Sequence, residues 1–106
     1  MIDARQIQEI LTQYEKHGWS LSRVLLSAPG KEILSASLEN LFGDTEIIMS
    51  DMDAAWFFRS SGNDREAWEL RRLSGTPFAL IEIFDAEDDE EIREETRQEM
   101  QTRLGK

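Results

Sequence analysis

Hydrophobic and polar residues along this chain follow helical spacing at its start, strand spacing through its middle, and sparse helical spacing at its end. Ile7, Ile10, Leu11 and Tyr14 fall at i, i+3, i+4 and i+7, which predicts an amphipathic helix. Asp3 is a suitable N-cap with Gln6 three residues on, and Ile2 and Ile7 are spaced for a hydrophobic staple. Lys16, His17 and Gly18 suit the C-terminal end. From Trp19 to Ala28 the pattern loosens into alternation, Trp19, Leu21 and Leu25 on one side and Val24 and Leu26 on the other. This predicts a strand, closed by a turn at Pro29-Gly30. Ile33, Leu34, Leu38, Leu41 and Phe42 then recur at a spacing of four, predicting one helix over Lys31–Phe42 that Gly43 stops, with Ser35 as the cap of a shorter version. Ile47, Ile48 and Met49 form a short strand after it.

The stretch from Met52 to Phe84 holds two of the three tryptophans and four of the five phenylalanines, so most of the large aromatic area lies here. Three aromatic and β-branched runs separated by Ser61–Arg65 and by Ser74-Gly75 predict a three-stranded antiparallel meander. The first loop lets Phe58 face Trp68 and Trp56 face Leu70. A two-residue loop at Ser74-Gly75 pairs Leu73 with Thr76, Leu70 with Ala79 and Trp68 with Ile81. Period-2 alternation then gathers Trp56, Phe58, Trp68, Leu70, Ala79, Ile81 and Ile83 on one apolar face. The opposite face carries Ala55, Phe57, Arg59, Glu69, Arg71, Phe78, Leu80, Glu82 and Phe84. Apolar side chains rimmed by charge have two readings, an interface or a face covered by a helix or terminus of the same chain; on the first, Phe57, Arg59, Arg71, Phe78, Leu80 and Phe84 are the candidate interaction face.

After Phe84 the run Asp85–Glu91 is acidic, which favours helix initiation, and Arg103 and Lys106 suit the far end. An acidic helix over about residues 86–104 follows, with only Ile92, Met100 and Leu104 as its apolar stripe. The expected architecture is a single α+β domain over 1–106 in the order α-β-α-β-β-β-β-α. Its antiparallel sheet has four or five strands, and its helices pack mainly on one face, that of Trp56, Trp68 and Ile81, with the first helix as the cover.

Composition narrows the chemistry. The chain has no cysteine and one histidine, so disulfides, thiolate catalysis and cysteine metal sites are excluded and nucleophile triads have little to draw on. His17, at a helix end, is read as a capping residue. Neither a P-loop nor a Gly-x-Gly-x-x-Gly pattern occurs, so no cofactor is expected. Asp51 and Asp53 offer carboxylates to a cation, but without an EF-hand pattern they are read as turn residues. Arg59, Arg65, Arg71 and Arg72 are read as cross-strand partners of Glu66, Glu69 and Glu82 rather than as an anion site.

Net charge is −10 and unevenly spread: residues 1–84 hold 13 acidic and 8 basic groups, residues 85–106 hold 9 and 4. That balance argues against binding a nucleic-acid backbone. No apolar run reaches the roughly 18–20 residues of a membrane span, and the first residues lack the basic and apolar regions of a signal peptide, so a cytoplasmic location is expected. The functional expectation is a non-catalytic protein-interaction module acting as a homodimer. The alternative is a small-molecule-binding module, with a pocket between sheet and helices lined by Trp19, Trp56 and Trp68.

Overall fold

The computed structural model describes residues 2–105. Helix α1 (Ala4–Lys16) begins where Asp3 accepts a hydrogen bond from the Arg5 N–H at 3.1 Å, and Ile2 and Ile7 are both buried as a staple requires. Gly18 follows with φ +86°, the left-handed residue that ends such a helix. Strand β1 (Ser20–Leu26) leads into α2 (Ala28–Ile33), which starts before the predicted turn instead of after it. Pro29 sits in the first helical turn, where its missing N–H costs nothing, and Ser27 caps the helix by accepting from the Gly30 N–H. The helix predicted over Lys31–Phe42 is broken by turns over residues 34–37, where Ser35 and Ser37 are weak helix formers, and resumes as α3 (Leu38–Phe42).

Strands β2 (Glu46–Met49), β3 (Ala54–Gly62), β4 (Arg65–Arg72) and β5 (Ala79–Phe84) complete a five-stranded sheet of order β2-β1-β3-β4-β5. The sheet is mostly antiparallel. Its one parallel pair is β1 with β2, because the helical connection through α2 and α3 carries the chain back toward the end of the sheet where β1 began. The fold is therefore α+β with the predicted order of elements, the second helix being split in two.

The β3–β4 hairpin has the expected register, Trp56 opposite Leu70 and Phe58 opposite Trp68. Its loop is shorter than predicted. Asn63 and Asp64, both at positive φ, form a two-residue turn whose twist matches the strands. The β4–β5 register, in contrast, is one residue off: Leu70 faces Leu80 and Trp68 faces Glu82. Pro77 has no N–H and a fixed φ, so Thr76-Pro77 cannot extend the ladder, and pairing resumes only where the Arg72 N–H reaches the Phe78 carbonyl at 2.9 Å. Leu73 leaves the ladder, donates its N–H to the Asp53 carbonyl and enters the core. A slip of one residue turns over every side chain of β5.

Three of the four helices lie on one sheet face, though not the face expected for them. Residues of α1 and of the α2–α3 segment, with Val24, Leu26, Ala55, Phe57 and Leu73, form one buried cluster. Helix α4 (Glu90–Leu104) covers the other face, closing a second cluster of Leu25, Trp56, Trp68, Leu70, Phe84, Met100 and Leu104. Fully burying Trp56 or Leu70 there contributes roughly 1.5–3 kcal/mol each before entropy is counted.

Helix α4 docks with fewer apolar groups than a covering helix ordinarily carries. Asp89 caps it at 2.9 Å from the Ile92 N–H, a few residues later than predicted. Ile92 points outward and is 50% exposed; the buried stripe is Arg97, Met100 and Leu104. Lys106, assigned above to the C-terminal end, lies outside the described residues.

Candidate interaction surface

Arginines on α4 take part of the packing role that Ile7, Ile10, Leu11 and Tyr14 have on α1. Arg97 is only 1% exposed, its guanidinium 4.6 Å from the Trp68 ring centroid and ion-paired to Glu90 and, at 2.9 Å, to Glu94. Arg23 of β1 reaches the same Glu94 at 3.2 Å. Arg93 lies over Phe84 and pairs with Glu66 at 2.7 Å, and Arg72 donates to the Leu104 carbonyl at the helix end. Trp56 adds an indole N–H bond to Gln101 at 2.9 Å. Burial pushes the Glu94 carboxyl upward, but the bonds from Gln98, Arg23 and Arg97 outweigh it and bring it down to about 2.

On the opposite face Tyr14 stacks on Phe57, with ring centroids 3.9 Å apart, and donates its hydroxyl hydrogen to Glu69. Burial first, and then the Glu69 carboxylate, push the tyrosine well above its ordinary pKa. Arg59 covers the Trp19 ring at 4.6 Å and donates to the His17 carbonyl at 3.0 Å, tying β3 to the end of α1. His17 Nδ1 is 2.8 Å from the Gln13 carbonyl, a capping contact.

The six residues expected on one interaction face are divided by the sheet. Phe57, Arg59 and Arg71 belong to the α1 side, where Phe57 is buried and Arg71 half-buried. Leu80 and Phe84 belong to the α4 side, half-buried and buried respectively. Phe78 precedes β5 and is exposed beneath the Arg72 guanidinium, 5.7 Å away. What stands free is the set expected in the core: Ile81 and Ile83 are 56% and 52% exposed, with Ala79 exposed beside them. Pro77 was the signal for this reversal, since it rules out the two-residue loop on which the register was built.

The backbone of β5 points the same way. Arg72 and Phe78 are a hydrogen-bonded pair, so alternation makes Leu80 and Glu82 the residues bonded to β4. The N–H and C=O groups of Ala79, Ile81 and Ile83 therefore face outward from the sheet edge. The Ile83 N–H finds a stopgap partner in the Glu82 carboxylate at 3.3 Å.

A cleft of about 450 Å³ opens between α1, β1 and α3, lined by Trp19, Leu11, Leu21, Leu41 and Phe57 with Gln8, Glu15 and Asn40. Trp56 and Trp68, expected to share a pocket with Trp19, pack against each other on the far side of the sheet. Asp53 accepts from the Ser27 N–H at 2.8 Å and from its hydroxyl at 3.0 Å, so its carboxylate braces the β1–α2 corner, while Asp51 is exposed. Among the described residues no group of three or more His, Asp or Glu side chains could hold a metal ion. Among them, too, no helix is long and apolar enough to cross a membrane. No family model, curated protein or solved structure matches the chain.

Proposed function

We propose that this protein is a non-catalytic, cytoplasmic interaction module that works as a homodimer through the outer half of its sheet. The observation that carries the reading is Ile81 and Ile83, two large apolar side chains on an uncovered part of a sheet face, in an edge strand. Exposed edge strands are ready templates for another strand, and small folds normally blunt or cover them. The residues first assigned to the interface, Phe57 and Phe84, serve instead as core. Ile83→Asp is expected to leave the fold intact and to lower the mass in solution from dimer to monomer, read by light scattering at micromolar concentration. A wild-type chain already monomeric across that range contradicts the reading.

The small-molecule alternative draws on the Trp19 cleft, whose volume lies within the usual range for ligand sites, about 300–1,000 Å³. Leu41→Trp should fill it. Under this reading some compounds in a thermal-shift screen stabilise the wild type and not the filled variant.

A further inference from the structure

The outward backbone of β5 and its exposed isoleucines belong to the same three residues, Ala79, Ile81 and Ile83. We infer that two copies of the chain join β5 to β5, antiparallel, about a two-fold axis at Ile81, making one continuous sheet across the dimer. The inference rests on the homodimer reading above and deepens it by naming the register.

Outward-facing groups can bond only to outward-facing groups, which confines the new pairs to Ala79, Ile81 and Ile83. Centring on Ile81 sets it opposite its own copy and sets Ala79 opposite the partner's Ile83, twice by symmetry. All three outward residues are then used, giving about six hydrogen bonds between chains. On the uncovered face the result is an unbroken apolar strip, isoleucine against isoleucine and isoleucine against alanine. On the α4 face Leu80 lies opposite the partner's Glu82, so no like charges meet directly. Centring on Ala79 or Ile83 would leave part of the strand unpaired.

The net charge of −10 opposes self-association, but little of it acts at this edge. Asp85 is paired with Arg65 at 2.9 Å and Glu66 with Arg93 at 2.7 Å, which leaves Glu82 as the carboxylate within β5 itself. Its present bond to the Ile83 N–H is long at 3.3 Å and is replaced by the partner's Ala79 carbonyl. The opposite edge does not offer this match: β2 has four residues, and its isoleucines are already packed on either side of the sheet. Strand pairing of this length makes an interface at or below about 1,200 Å², the size of reversible associations.

The chain has no cysteine, so single-cysteine variants report the register directly. In the full-length protein, treated with a short bis-maleimide, Ile81→Cys should cross-link to itself in high yield. Ala79→Cys alone should not, because its two copies lie about 14 Å apart along the strands, four residues out of register. Mixing Ala79→Cys with Ile83→Cys should restore the cross-link. As a second variant, Ile81→Pro removes only an outward N–H, which an edge strand tolerates, and should weaken dimerisation at least tenfold while remaining folded by circular dichroism. If the protein is dimeric but these cross-links show no such pattern, or Ile81→Pro dimerises as well as wild type, the β5 register is overturned and the dimer stands on another surface. If the wild type is monomeric throughout, both fall.

Discussion

Each edge strand of this sheet carries two isoleucines, and their fates differ. In β2, Ile47 and Ile48 are adjacent, so one side chain goes to each face, and each meets a cluster already built by helices. In β5, Ile81 and Ile83 are two apart, so both go to the same face, and no helix stands over them. Helix α1 packs over β1 and β3, while α4 covers β4 and β5 on the other side only. Both edges carry two isoleucines; what differs is parity and cover. The β2 end is structural on both faces, and the β5 end is structural on one and free on the other.

The largest test of that contrast compares a side chain from the covered region with one from the open edge. Phe57→Ala empties the space between Tyr14 and the sheet and should cost about 3–5 kcal/mol in urea unfolding. Ile83→Ala should change the stability of the monomer by no more than about 0.5 kcal/mol, as expected of a surface position. Comparable losses at the two sites would mean that the β5 face is packed after all.

Next in size is the arginine docking of α4. Arg97→Ala removes a buried side chain together with its bonds to Glu90 and Glu94, and should cost about 2–3 kcal/mol, the partners' own exposure moderating the loss. Arg97→Met keeps the volume against Trp68 and should recover most of that loss. An alanine variant as stable as wild type would show that α4 is held by its other contacts, without Arg97.

A smaller effect follows from Glu94. Its folded pKa, about 2, lies below its ordinary value, so its contribution is complete above the usual carboxylate range. That contribution is lost progressively as pH falls through that range toward 2. Because its side chain is 40% exposed, solvent moderates the effect. Glu94→Gln should flatten this part of the pH profile of unfolding; an unchanged acid limb would assign the pH dependence to other carboxylates.

Last comes Glu82. In the dimer its two copies sit one diagonal step apart across the strands, where like charges oppose by roughly 0.2–1 kcal/mol. Glu82→Gln should therefore tighten dimerisation a few-fold in sedimentation equilibrium, and a weaker dimer would mean that this carboxylate makes a favourable contact across the interface.

These contrasts also explain which parts of the structure could be read in the chain. Helix α1 and the β3–β4 hairpin were legible because independent local signals agree there. Asp3, the Ile7–Tyr14 stripe and Gly18 mark one helix, and aromatic alternation on both sides of an Asn-Asp turn marks the hairpin. The interaction surface was not, because its face depends on loop length, and a one-residue difference at Thr76-Pro77 exchanges Ile81 and Ile83 for Leu80 and Phe84. Helix α4 shows only a sparse apolar stripe in the chain because Arg93 and Arg97 do not count as apolar. Their aliphatic stems and flat guanidinium groups nonetheless pack on Phe84 and Trp68. The parallel β1–β2 pair depends on where the α2–α3 connection delivers the chain, which no local pattern records.

The claim that β5 is the free edge through which two copies join can be tested amide by amide. Hydrogen exchange followed by NMR, at a dilution that gives monomer and at a concentration that gives dimer, separates the two sets of backbone groups on one strand. Leu80 and Glu82 should be protected at both concentrations by their bonds to β4. Ala79, Ile81 and Ile83 should exchange quickly when dilute and slow together as the dimer forms. Dimer formation without added protection at these three amides would contradict the account.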